Sequence, residues 1–571
     1  MAWRIRLKTG EFLDTPEDLS LGFEMNNQVF ADSNSSLLPG TFEPNFTLPL
    51  TQHNRVLLNY PDLVNNISGF QEYDVQVFLY GQLLYIGTLI IKSANPTTAS
   101  CKIISNPLRS IKSVKLNQID LGGDREIGNS TAMLAHAKDT AQAPLDYDYV
   151  FFPIYNPTYL NSWTDDDRCK MQNHYDPDLE VFQVSGDYPA LMPFVRVEYL
   201  IARIFSQIDA EYTFENRFHT TDELKRIVVW NGYSLWRDAL TETINLKNHV
   251  PQVSQTEWLK KFMGVFCLGL FPNIFDKTIK LIPLKDILSR SSKHNWTEKL
   301  LYPITIDSPS SIPQAYDYAD YDETGPYSRK NGRPKQEDVL GTYNDADELQ
   351  TAAPPAGIYY LTNREWYVLF NPDNPPSFQI ARYYDELGPA PVFDAERVFE
   401  IQMQPMHDFW PNSDFTQGPP NSAPRGPIPF CNLPGDVVYT ITGETDPIAQ
   451  TGVDALRWLI YRGMQPDLNG NSYPCACAPP YDAWGDPIDT LSTRLGSPVG
   501  IYGAYWQQWH NMLLGKNVPV KMALHVNDLV AFSFEDKVRI GSMDYFVKKL
   551  QVGKPIGNGY IYVDAQLVSI I

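Results

Sequence analysis

The stretch Ser254–Leu288, SQTEWLKKFMGVFCLGLFPNIFDKTIKLIPLKDIL, decides the fold class. Ser254 with Glu257 three residues on is a capping-box pattern, and Trp258, Leu259, Phe262, Val265 and Phe266 recur at helical spacing, so a buried helix starts here. Leu268–Phe271 and Thr278–Pro283 follow as two short apolar runs separated by Asn, Asp and Lys. That pattern predicts an antiparallel hairpin closing over the apolar face of the helix. The unit is therefore α+β.

Moving toward the N-terminus, Phe194, Val197, Leu200, Ile201, Ile204, Phe205 and Ile208 mark one face of a helix that begins behind Pro193. Leu224–Trp230 reads as a strand, and together these elements define an α+β domain over 191–290. Before it, 116–190 is an irregular, aromatic and acidic connection with a short helix around Ser130–Lys138. The first 115 residues follow period 2: Trp3, Ile5 and Leu7 alternate with basic residues, Leu19 to Met25 repeat the pattern, and Val75, Val77 and Leu79 enter a turn at Tyr80–Gly81–Gln82. With FTLPLT read as a loop, 1–115 is a small β-barrel or sandwich.

Toward the C-terminus, 291–435 is a β domain with runs at Ile358–Leu361 and Trp366–Phe370 and a Pro-rich extended arm between Pro405 and Pro434. Residues 436–571 form a C-terminal β domain whose one helix presents Tyr502, Trp506, Trp509 and Leu513. Val518, Val520, Met522 and Leu524 then alternate, and Lys537–Leu550 and Gly559–Ile571 add strands. The fold class is mainly β with α+β insertions.

The chain has 571 residues, 43% hydrophobic and 13% aromatic, which describes several folded cores and not a disordered polymer. A formal charge of −21 argues against a sequence-independent grip on nucleic acid, which needs a basic surface to displace counterions. An acidic wall can still line a path along which DNA moves without sticking. Six irregularly spaced cysteines are expected to be reduced thiols. Met1–Gly10 lacks an apolar signal region, and no run approaches the roughly 18 apolar residues of a membrane span.

Chemistry-bearing residues are few. His407–Asp408, near Trp410 and Ser413, is a conceivable acid–base pair, but neighbouring residues point apart and the prolines around them predict a surface loop. Asp165, Asp166 and Asp167 with Cys169 and His174 lack the glycine and glutamate of a calcium loop, so a solvated acidic loop is expected. Cys475–Ala476–Cys477 is spaced too tightly for half of a zinc ribbon, and Gly557–Asn558–Gly559 reads as a hairpin turn and not a phosphate loop. Glu242 or Asp238 could be nominated as glycosidase carboxylates, yet nothing in the sequence pairs them. No catalytic, cofactor or metal residue is assigned.

Four islands carry a family resemblance: the helix and extended run in Ser254–Leu288, the FTLPLTQHN segment within Pro39–Asn66, HNWTEK at His294–Lys299, and GIYGAYWQQWHNMLL at Gly500–Leu514. In order along the chain they resemble the tail hub or baseplate hub proteins at the distal end of bacteriophage tails, as found in phages of Bacteroidetes-type hosts. The resemblance implies a non-enzymatic homotrimer built on tail-tube-like β-barrels. Such a protein joins the hexameric tail tube or distal tail protein, and the tape-measure protein, to a central fibre or spike. It implies assembly in the bacterial host cytoplasm, residence in the virion tail, and DNA passing through without specific binding. The alternatives are a tail-associated or surface polysaccharide-acting enzyme, or a glycan-binding adhesin that uses its many Tyr and Trp side chains to stack on sugars.

Overall fold

The computed structural model describes residues 3–17, 19, 21–27, 29, 45–65, 71–104, 111, 114–155, 171–184, 190–208, 212–235, 242–273, 276–304, 315–320, 339–344, 346–362, 366–372, 377–381, 398–403, 407–409, 428–430, 457–467, 470–476, 491, 500–513 and 516–570. Strands dominate, and the chain is mainly β with helices inserted.

Alternating side chains near the N-terminus build a five-stranded antiparallel sheet in the order Trp3–Leu7, Glu72–Leu79, Gln82–Ala94, Thr98–Ile104, Asn45–Pro49. Trp3, Ile5 and Leu7 face inward as their period requires, opposite Leu79, Val77 and Val75. The FTLPLT segment is not a loop. Phe46 and Leu48 alternate inward and pair with Cys101 and Ala99, and Pro49 is tolerated because the strand is the sheet's edge.

A second sheet, six-stranded, runs His294–Asn295, Lys537–Ile540, Met543–Gly557, Tyr560–Ser569, Asn517–His525. Its sixth strand is Phe23–Asn26, which pairs antiparallel with residues 549–552. The Leu19–Met25 alternation thus serves the sheet at the other end of the sequence. Two-residue loops close hairpins in both sheets: Tyr80 and Gly81 have φ of 50° and 82°, Asn558 and Gly559 of 51° and 82°. Two successive positive φ values give the type I′ turn that matches strand twist. At Gly559 a Cβ would also sit 2.5 Å from His525 Nε2. The hairpin tips touch, Gly557 N donating to Tyr80 Oη at 3.1 Å.

The two sheets share one core. Trp3, Val77, Leu89 and Ile103 pack in the same cluster as Trp296, Met522, Leu524, Val538, Leu550 and Val563. Opposite ends of the sequence therefore make one β body.

The α+β region forms a second, larger core. Ser254 caps the Gln255–Val265 helix, its hydroxyl accepting from Glu257 N at 3.2 Å, and Trp258, Leu259, Phe262 and Val265 are all buried. Leu268–Asn273 and Thr278–Pro283 form the expected antiparallel hairpin, and Thr213–Asn216 adds to it in parallel. The upstream helix spans Val197–Phe205 on the expected face, but Phe194 belongs to a short strand paired with Val150. Phe262 stacks on Trp258 at 5.5 Å and meets Phe218, Phe266 and Trp458 at 5.1–6.1 Å. Trp458 lies in the Trp458–Ile460 strand, paired with Ile227–Val229. Most of the 382–456 stretch, including most of the Pro-rich arm, lies outside the described residues.

Candidate functional site

The described residues place the sequence-nominated groups apart. His407 and Asp408 sit in a strand, His407–Phe409, paired with Ile428–Phe430, instead of on a loop. Trp410, Ser413, Asp165, Asp166, Asp167, Cys169, Asp238 and Cys477 lie outside the described residues. His174 is 1% exposed, and burial pushes its pKa down to about 3, so it is neutral. Cys475 is a buried thiol at the end of the Ser472–Cys475 strand, and Glu242 is exposed. Gly557–Asn558–Gly559 is the hairpin turn described above. Among the described residues no group of three or more His, Cys, Asp or Glu is placed to hold a metal ion. No helix among them is long and apolar enough to cross a membrane.

What the structure does build is a joint between the two cores. Period 2 sends neighbouring pairs of the C-terminal sheet to different sides: Val547 opposite Leu567 enters the β body, whereas Phe546 opposite Val568 enters the α+β core. Trp509 meets Phe546 there at 6.1 Å. Trp509 lies on the Gln507–Leu513 helix, which continues a π-helical turn at Tyr502–Trp506. The wider turn shifts the helical phase, and among the described side chains of 502–513 Tyr505, Trp506, Trp509 and Met512 are buried, with Trp506 Nε1 donating to Val265 O at 3.0 Å. Of the face expected from sequence, Trp506 and Trp509 are inward, and the side chains of Tyr502 and Leu513 lie outside those described.

A charged clamp surrounds this apolar contact. Glu535 accepts from Lys280 Nζ and from Arg290 Nη1, each at 2.7 Å, and its side chain is 8% exposed. Asp536 meets His294 Nε2 at 3.0 Å and Lys293 Nζ at 3.1 Å. Lys537 Nζ donates to Leu288 O. Three consecutive residues of the β body thus hold the hairpin and the segment behind it. Burial pushes the Glu535 carboxyl up, but hydrogen bonds from Lys280 and Arg290 and their charges outweigh it and hold the group below its ordinary value. Asp536 is likewise pushed up by burial and brought below its ordinary value by His294 and Lys293.

Polar side chains inside the α+β core fix loops where strands are too short to do so. Asn173, at φ 54°, donates to Phe152 O at 3.0 Å and Met192 O at 2.8 Å and accepts from Met192 N at 2.6 Å. Asn231 donates to Pro193 O and accepts from Tyr233 N at 2.9 Å. Nothing in the sequence distinguished these two from the exposed asparagines.

No protein-family model matches this sequence, and no curated protein matches it. Among solved structures, the crystal structure of the prophage MuSo2 43 kDa tail protein from Shewanella oneidensis aligns over 99% of this chain and 97% of its own, with 7% identity and a TM-score of 0.32. A tail protein from Neisseria meningitidis MC58 aligns over 99% and 96%, with 8% identity and a TM-score of 0.28.

Proposed function

We propose that this chain is a structural, non-enzymatic protein of a bacteriophage tail: the hub that joins the hexameric tail tube to a trimeric tip fibre or spike and gates the DNA channel. The observation that carries the reading is the single β body made from both ends of the chain and clamped to an α+β core. A ring subunit that transmits load between a tube and a tip needs such a body, with apolar and ionic contacts between its parts and no requirement for a reactive centre. The order of the four sequence islands supports the same reading. In it the protein is a homotrimer in the virion tail, assembled in the host cytoplasm. Its neighbours are the tail tube or distal tail protein, the tape-measure protein and the central fibre or spike, and its acidic surface lets DNA pass without binding.

Light scattering with negative-stain imaging of the same fraction tests this. A mass of about 195 kDa, three times the 65.0 kDa chain, with end-on rings and a central opening, is the expected result. A compact monomer without rings counts against the trimeric hub.

A further inference from the structure

The outer face of the C-terminal sheet carries a cleft that neither core uses. Its volume is about 530 Å³, within the roughly 300–1,000 Å³ typical of small-molecule sites. Tyr302 and Pro303 form one wall, and the floor comes from three adjacent strands. Strand register places Gln551, Asp564 and Lys521 in one cross-strand row and Lys549, Gln566 and Pro519 in the next. The inserted Phe23–Asn26 strand extends both rows, setting Glu24 opposite Gln551 and Asn26 opposite Lys549.

The chemistry of this floor is balanced. Lys549 Nζ pairs with Glu24 at 2.5 Å, Tyr562 Oη donates to Asp564 Oδ1 at 3.1 Å, and Lys521 stands opposite Asp564 across the strands. With each ammonium beside a carboxylate or phenol, the cleft has no surplus charge to select an ion. Gln551 and Gln566 are exposed and each offers both donors and an acceptor. Tyr302, 63% exposed, and the aliphatic rings of Pro303 and Pro519 supply apolar surface beside them. An extended peptide gains its main-chain bonds at a sheet edge, whereas these groups stand on a sheet face. At the adjoining edge, moreover, Pro519 lacks an N–H. A ligand that fits has donors and acceptors in similar number, no net charge, and a flat apolar face.

We propose that this cleft is a binding site for a neutral oligosaccharide, with Gln551, Gln566 and Asp564 hydrogen-bonding ring hydroxyls and Tyr302 stacking on a sugar face. The site is independent of the tail reading.

Saturation-transfer NMR on the full chain tests it, with maltotriose, cellotriose and chitotriose as probes and inorganic phosphate as an anion control. Transfer to the ring protons of at least one trisaccharide is expected, weakened about tenfold in Gln551→Ala combined with Gln566→Ala, as loss of two hydrogen bonds implies. Tyr302→Ala, outside the sheet, provides a second variant, and an unchanged thermal melt shows that each variant is folded. Transfer from none of the three sugars overturns the proposal. So does transfer that the variants leave unchanged, or phosphate binding that Lys521→Ala abolishes in the absence of sugar binding.

Discussion

Glu535 Oε1 accepts a hydrogen bond from Lys280 Nζ at 2.7 Å, across 255 residues of chain, and its other oxygen takes Arg290 at the same distance. One carboxylate thus ties the hairpin of the α+β core to the loop that opens the Lys537–Ile540 strand. Removing one partner of a mostly buried pair leaves the other charges uncompensated, at a cost of about 3–5 kcal/mol. Glu535→Ala is expected to lower unfolding stability by roughly that amount, whereas Lys8→Ala, breaking an exposed pair with Asp74, changes it by about 1 kcal/mol or less. Urea unfolding of the two variants checks this, and equal effects refute the clamp.

Acid should loosen the molecule in two overlapping windows. Burial pushes His174, His219 and His249 down to about 3, so the unfolded chain, with His near 6.5, takes up protons first. Stability from these groups is complete above about pH 6.5 and is lost as pH falls toward about 3, each group contributing at most about 1.4 kcal/mol per pH unit. His219→Asn should flatten the slope of stability between pH 6.5 and 5 relative to the parent protein. Glu535 and Asp536 act lower. Their folded values are depressed, so their contribution is present above the unfolded values near 4 and lost as pH falls through the folded ones. Glu535→Gln should leave the upper window intact.

Phe262 is fully buried among Trp258, Phe218, Phe266 and Trp458. Phe262→Ala should cost about 3–5 kcal/mol through lost burial and the cavity left behind, and Phe262→Leu less than half of that. Denaturant midpoints of both variants decide it, and a parity between them would mean that the site collapses freely.

The helix and hairpin at Ser254–Leu288 were legible because capping, period and burial all agree there, as they do for Trp3–Leu7 and the Asn558–Gly559 turn. Other features were hidden for identifiable reasons. FTLPLT looked like a loop since edge strands tolerate the proline that excludes an interior one. The Tyr502–Trp506 turn is π-helical, so 3.6-residue counting missed Tyr505 and Met512, which are buried. The clamp could not be read at all: Lys280, Arg290, Glu535 and Asp536 are ordinary surface residue types, and only tertiary contact makes them partners.

Asn173 offers a test of the loop-fixing network. Asn173→Ala removes three backbone hydrogen bonds and places a Cβ-bearing residue without local polar compensation at φ 54°, so a loss of about 2–4 kcal/mol is expected. Asn173→Gly relieves the backbone but not the bonds, and should recover about 1 kcal/mol. Thermal melts of the pair separate the two contributions.

The Phe23–Asn26 strand, seated in a sheet built mainly from residues 517–569, sets a timetable for the molecule. During synthesis the strands within 3–104 emerge with their apolar face uncovered, and those that cover it, within 517–569, follow much later. Such long-range closure is slow, and it leaves a truncated chain with an open, sticky sheet. Only a ribosome that has passed Ser569 delivers a subunit with both halves of its β body, so copies that stop before it carry their own mark for removal before they can enter a larger assembly.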